Sequence, residues 1–328
     1  MYATGNKKML NMLILEILKK YSDENHALTQ QEIIRLLDKN YGMECDRRSV
    51  KNNVVYLKEL GYDISMDKGY RLMEHEFDDA ELRILIDSVL FSKSISSRQA
   101  KSLIEKIRSF GSNFFNAKVS HICNLPELHR TFNKQAMYSL DAINDAVANH
   151  RKISFVYNEI GTDFKLKAKR EESYIVNPYQ IVANNGRFYL VGNYDKYDNI
   201  AHFRIDRMTE VKMLEEKAKP LKKLPGYERG FDLPKHMAEH IYMFSGPSEA
   251  ITLKTTADMM TELVDWFGDD FSITSRKGDE ITVRLTCNEN AMRFWALQYG
   301  AYVEVLKPES LRNQLRDDVN GMAEKYKE

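Results

Sequence analysis

Arg48, Lys51 and Asn52 recur at helical spacing with Arg47 beside them, and these are residue types that address nucleic acid. Arginine or lysine donates to guanine N7 and O6, and an asparagine amide pairs with adenine. Thr29, Gln30 and Lys68 add donors of the kind that meet backbone phosphates. A second group lies far downstream: Tyr189, His202 and Arg204, with Arg207 at the rim and Tyr179 and Arg187 able to join. Together they combine stacking rings with bidentate donors for phosphate. A third candidate is His236-Met-Ala-Glu239-His240, the inverted H-x-x-E-H zinc-peptidase pattern. On a helix its two histidines share a face, as a zinc site requires. No third ligand is evident and the segment reads as a connector opened by Pro234, so neither a metal nor catalysis is expected there. The competing readings are a solvated basic face for the first group and, for the second, an Arg204–Asp206 ion pair with Tyr189 in the core.

These side chains need elements to hold them. Leu10, Leu13, Ile14, Ile17, Leu18 and Tyr21 mark an amphipathic helix over 7–21. Thr29-Gln-Gln-Glu32 is a capping box that opens a second helix, and Asn40 to Gly42 end it. A third runs from the N-cap Asp46 to Leu60, with Gly61 as its left-handed stop. Val50, Asn53, Val54, Leu57 and Leu60 take its inner side, leaving Arg47, Arg48, Lys51, Asn52, Val55 and Lys58 outside. Alternation around Asp67-Lys-Gly69 then predicts a short hairpin with Lys68 at its tip. Three short helices followed by a hairpin is the order of a winged helix-turn-helix.

Helical patterns at Asp79–Phe91, Ser97–Phe110 and Met137–His150 follow, and read as a linker. From about residue 151 the chain turns to β-branched and aromatic runs: 152–157, 180–183, 187–191 and 200–205, with Asn184-Asn-Gly186 as a tight hairpin turn. In a strand His202, Arg204 and Asp206 share one face, and Tyr189 faces away from Phe188 and Leu190. Beyond Pro225, strands at 251–255 and 281–286 mix with helices at 256–267, 290–299 and 308–326. Phe294, Trp295 and Tyr299 on one late helix read as core or dimer packing rather than a cofactor box.

Composition narrows the function classes. The 328 residues carry 48 basic and 48 acidic side chains, yet residues 151–223 hold 15 Lys and Arg against 10 Asp and Glu, and residues 224–328 hold 12 against 18. An anionic ligand is therefore expected mid-chain. Three scattered cysteines, Cys45, Cys123 and Cys287, indicate neither zinc ribbon nor disulfide framework and fit the reducing cytoplasm. No stretch has the apolar length of a membrane span, and phosphate-loop and dinucleotide glycine motifs are absent, so no cofactor is expected.

The chain resembles the WYL-domain transcriptional regulators of bacteria along nearly its whole length. Arg47-Arg-Ser-Val50, Leu57-Lys-Glu-Leu-Gly61 and Lys68-Gly-Tyr-Arg-Leu72 resemble their winged helix. Asn177-Pro-Tyr179, Gly186-Arg-Phe-Tyr-Leu-Val-Gly192 and His202-Phe-Arg-Ile-Asp-Arg207 are similar to their central domain. Phe231-Asp-Leu233, Tyr302-Val-Glu-Val-Leu306 and Pro308-Glu-Ser-Leu311 are similar to their C-terminal extension. The eponymous Trp-Tyr-Leu is Phe188-Tyr189-Leu190 here, which keeps the aromatic bulk without the indole donor.

The resemblance implies an α+β multidomain protein. Its parts would be a winged helix-turn-helix at 1–75, a helical linker at 76–149, an Sm-like or SH3-like β-barrel at 150–220, a connector at 221–247 and an α/β extension for dimerisation at 248–328. It further implies a homodimer on double-stranded operator DNA, whose barrel senses a nucleotide-like or single-stranded nucleic-acid effector. The alternatives are a single-stranded nucleic-acid-binding accessory protein of a phage-defence system and, through H-x-x-E-H, a metallohydrolase.

Overall fold

The computed structural model describes residues 7–123, 131 and 133–327. The chain divides into two compact units, Met1–Arg130 and Thr131–Glu328.

In the first unit a 3₁₀ turn leads into α1 (Leu10–Tyr21), followed by α2 (Gln30–Tyr41) and α3 (Arg47–Glu59). The capping box forms as the sequence predicts: the Glu32 amide donates to Thr29 Oγ1 at 3.2 Å, and the Thr29 amide donates to the Glu32 carboxylate at 2.8 Å. Gly42 closes α2 in the left-handed region at φ 60°. Ile14, Ile17, Leu18, Ile33, Leu37, Val50, Val54 and Leu57 bury one shared core. Leu60 departs from the expected inner side and is 70% exposed, because the helix ends at Glu59 and the cap residue leaves its stripe.

Strands β1 (Ile64–Ser65) and β2 (Arg71–Leu72) pair antiparallel, and Leu28 bridges to Tyr70. Gly69, at φ 130°, is required at the turn, since an added Cβ would sit 2.9 Å from Ala27 Cβ and 3.1 Å from the Leu28 carbonyl oxygen. Helices α4 (Asp79–Phe91) and α5 (Ser97–Arg108) each open with a capping box. A further helix, α6 (Asn113–Cys123), was not expected from the pattern. Its start has a local signal, Ser112 Oγ accepting from the Phe115 amide at 3.2 Å, and Phe115, Val119 and Ile122 complete a core with Leu82, Ile86 and Ile104.

The second unit opens with α7 (Ala136–Ala148), which the sequence reading assigned to the linker; here it packs against the sheet that follows. That sheet is antiparallel: β3 (Arg151–Ile160), β4 (Leu166–Ala168), β5 (Tyr174–Asn184), β6 (Arg187–Asn193) and β7 (Ala201–Arg204) run in the order β4-β3-β5-β6-β7. Strand β8 (Met208–Lys217) returns to pair with β3, and irregularities at Ser154/Val156 and Pro178/Gln180 bend the ladders. Ile153, Phe155, Val176, Leu190, Phe203, Ile205 and Met208 form its core with Ile143 and Ala146 of α7. The expected strand at 200–205 stops at Arg204, because Ile205–Arg207 tightens into a 3₁₀ turn. Asp206 and Arg207 thereby leave the period-two alternation read from the sequence.

A connector containing α8 (Leu233–Glu239) leads to a second antiparallel sheet. Its strands β9 (Ser248–Thr256), β10 (Phe271–Lys277), β11 (Glu280–Asn288) and β12 (Glu304–Lys307) lie in the order β10-β11-β9-β12. Helices α9 (Met260–Phe267), α10 (Glu289–Gln298) and α11 (Glu309–Lys325) complete the unit. Ile251, Leu253, Val283 and Leu285 pack with Leu263, Phe267, Trp295 and Leu311. Trp295 is fully buried, as read from the sequence, while Phe294 is 57% exposed. Strands β4, β8, β10 and β12 were missed, being short, edge-lying or dense in charge. No helix among the described residues is long and apolar enough to cross a membrane.

Candidate functional site

The outer face of α3 is built by local rules. Asp46 Oδ1 accepts from the Ser49 amide at 2.7 Å and fixes the helix start, and Asn53 turns inward to donate to the Ser49 carbonyl at 2.8 Å. Val50, Val54 and Leu57 anchor the inner stripe, so Arg47, Arg48, Lys51 and Asn52 stand exposed on the other. None of these three cations makes an ion pair with a described residue. Lys68 is also exposed, at φ 54° in the hairpin turn. Thr29 and Gln30 differ from this set, because their side chains have internal partners. The Thr29 hydroxyl belongs to the capping box, and the Gln30 amide donates to the Tyr70 hydroxyl at 2.8 Å.

In the second unit the register of β6 and β7 sets Tyr189 opposite Arg204 and Val191 opposite His202. Arg187 shares that face, two residues before Tyr189. The 3₁₀ turn swings Asp206 back beneath it. Asp206, 4% exposed, accepts from Arg187 Nη1 at 2.8 Å, Arg204 Nε at 3.1 Å and Arg204 Nη2 at 2.8 Å. Burial, and then the like charge of Arg204, hold Arg187 below its ordinary pKa. Burial also opposes the Arg204 charge, but the hydrogen bonds and charge of Asp206 outweigh it and raise that guanidinium above its ordinary value. Two guanidiniums share one carboxylate, and Arg207, whose buried Nε has no hydrogen-bond partner among the described residues, adds a third cation. The result is a partly exposed group of cations around one carboxylate, while the half-buried Tyr189 packs against the cluster of Val182, Val191 and Leu224. The Tyr157 hydroxyl, which sequence reasoning missed, accepts from the Arg204 amide at 3.2 Å. It sits on β3, remote in sequence, so no local pattern announced it.

Tyr179 and His202 find other surroundings. Tyr179 lies among Val182, Val191, Ile200, Leu224 and Met243, its buried hydroxyl without a hydrogen-bond partner among the described residues and burial pushing its pKa up. His202 meets two imidazoles from the connector. Its Nε2 lies 2.9 Å from His236 Nε2, and the His202, His236 and His240 ring centroids are 4.5 to 5.0 Å apart. His236 sits one turn before His240, the cap of α8, and both are nearly fully buried. His240 Nδ1 lies 3.2 Å from the Phe244 carbonyl, and His236 Nδ1 lies 3.5 Å from the Tyr227 hydroxyl. One donor atom from each ring lies within 4.8 Å of the others, which brings a third imidazole to the H-x-x-E-H pair. Burial, then the neighbouring rings, lower His202 to about 2 and His236 to about 3, and burial lowers His240.

Two domain families match the chain. The WYL domain matches residues 139–213, from within α7 through β8, and the WCX domain matches residues 247–323, from β9 into α11. Arg187, Tyr189, His202, Arg204 and Arg207 fall inside the first match, while His236 and His240 fall between the two. No curated protein sequence matches. Among solved structures, the chain is 12% identical to proteasome accessory factor B/C (PafBC) of Arthrobacter aurescens, with 98% of this chain and 49% of that one covered and a TM-score of 0.31. It thus spans about half the length of that protein. A CRISPR Cas-related protein is 14% identical, with 98% of this chain and 85% of that one covered and a TM-score of 0.42. The chain thus carries a WYL domain running from α7 to β8 and a WCX domain after it.

Proposed function

We propose that this protein is a ligand-responsive transcriptional regulator. In this reading α1–α3 and the β1–β2 hairpin act as a winged helix-turn-helix, with α3 in the major groove and Lys68 on a phosphate. The sheet at 150–220 serves as an Sm-like barrel on which Arg187, Tyr189, Arg204 and Arg207 take a nucleotide-like or single-stranded nucleic-acid effector. The WCX region holds two copies together, so that two α3 helices meet a two-fold-related operator. An effector that binds one arrangement of the dimer better than another shifts the population competent for DNA.

The observation that carries this reading is the α3 face, where Arg47, Arg48 and Lys51 stand exposed without a counter-charge among the described residues. Cations held on a rigid helix and left unpaired are suited to an external polyanion. Selection from a pool of random duplex DNA tests the proposal, comparing the wild type with Arg48→Ala plus Lys51→Ala. An inverted-repeat site selected by the wild type and lost in the double variant is the expected result. If neither protein selects a duplex, the regulator reading fails.

A further inference from the structure

The cluster of His202, His236 and His240 has no part in the proposed DNA or effector contacts, and the hydrogen bonds present do not account for it. Buried polar atoms are normally paired. Here His202 Nδ1 is buried without a hydrogen-bond partner among the described residues. In the 2.9 Å contact between His202 Nε2 and His236 Nε2 one nitrogen donates and the other accepts, so one of the two rings turns its lone pair toward its neighbour. If His240 donates its Nδ1 proton to the Phe244 carbonyl, its Nε2 lone pair is free as well. Three imidazoles are thus gathered from β7 and the end of α8, each with one lone-pair nitrogen to offer.

We propose that His202, His236 and His240 bind a single divalent transition-metal ion, zinc fitting the donor set best, through three imidazole nitrogens with a fourth position open. Three imidazoles with an open fourth position is a recurrent zinc arrangement, and imidazole suits borderline metals better than magnesium or calcium. Tetrahedral zinc–nitrogen bonds of about 2.0–2.1 Å set donor atoms roughly 3.3 Å apart. The present spacings of 2.9 Å to at most 4.8 Å reach that geometry through small side-chain adjustments. The Phe244 carbonyl on His240 is the kind of outer partner that fixes a ligand's tautomer. Glu239 is not among the three ligands. The ion would clamp α8 to β7, two residues from Arg204.

The test uses the full chain stripped of metal by a chelator and titrated with zinc against a chromophoric competitor. One zinc per chain is expected, with affinity at least about 100-fold weaker in each of His202→Gln, His236→Gln and His240→Gln. Glu239→Gln should retain wild-type affinity. Far-ultraviolet circular dichroism of each metal-free variant shows whether it folds. Should a glutamine variant fail to fold, cobalt(II) in the wild type decides instead. A visible spectrum of low-coordinate, all-nitrogen ligation sustains the site, whereas a thiolate charge-transfer band or weak octahedral absorption overturns it. Zinc that does not bind the wild type, or binds folded glutamine variants equally well, also overturns it.

Discussion

The cations of α3 and those of the β6–β7 face are the same residue types in opposite situations. On α3, Arg47, Arg48 and Lys51 are exposed and without an ion-pair partner among the described residues, held by a helix whose stability comes from its other side. On β6–β7, Arg187 and Arg204 are drawn onto the buried Asp206, with Arg207 close by. The first arrangement costs the fold little and leaves its charge for a partner. The second makes charge part of the fold, because removing one member leaves another desolvated and unpaired. Substitutions should therefore separate the two regions: stability responds at β6–β7, and binding responds at α3.

The largest effect is expected for Asp206→Asn, which leaves two partly buried guanidiniums without their carboxylate and should destabilise the second unit by about 3–5 kcal/mol. Denaturant unfolding measures it, and a loss below about 1 kcal/mol would break the comparison. Arg48→Ala plus Lys51→Ala should weaken duplex binding by about 2–4 kcal/mol and flatten its salt dependence, with stability changed by less than about 0.5 kcal/mol. A matching loss of stability would show that these residues are structural.

Arg187→Ala should cost about 1–2 kcal/mol, less than Asp206→Asn, because Arg204 keeps both its bonds to the carboxylate. Double-variant cycles with Arg204 would expose the coupling. Thr29→Ala should cost about 1 kcal/mol by opening the α2 cap. The Thr29 hydrogen bonds hold Glu32 below the usual carboxylate range, so its contribution is complete above the unfolded-state pKa and is lost as pH falls through the folded one. The wild-type unfolding midpoint should therefore drop at acid pH more steeply than that of Thr29→Ala.

What the sequence made legible follows the range of the interactions. The α3 face could be read because cap, stripe and stop all lie within the helix: Asp46, then Val50, Val54 and Leu57, then Gly61. Alternation also put Arg187, Tyr189 and Arg204 on one face, since pleating needs only neighbours. It failed at Ile205, where the 3₁₀ turn broke the period and carried Asp206 beneath the arginines. Tyr157 and the His202–His236 meeting were hidden for a different reason. Each depends on strands or connector segments tens of residues apart, and no spacing rule encodes that approach. The unexpected α6 had its Ser112 cap in plain view but lacked a clean amphipathic stripe.

The Asn185-Gly186 turn has a consequence in time. Both residues sit at positive φ, 49° and 72°, which matches the natural twist of a two-residue hairpin. The β5–β6 ribbon can therefore zip from its turn within microseconds, carrying Arg187 and Tyr189 into register early. Strand β3 must instead wait for β8, whose Lys212 pairs with Ser154 across a long intervening loop. Closing that loop is entropically slow, and it is the step that delivers Met208 and the preceding turn to the core. During refolding, Arg187 is thus on the ribbon before Asp206 arrives, so excess anion in the buffer has a window to hold that side chain in place.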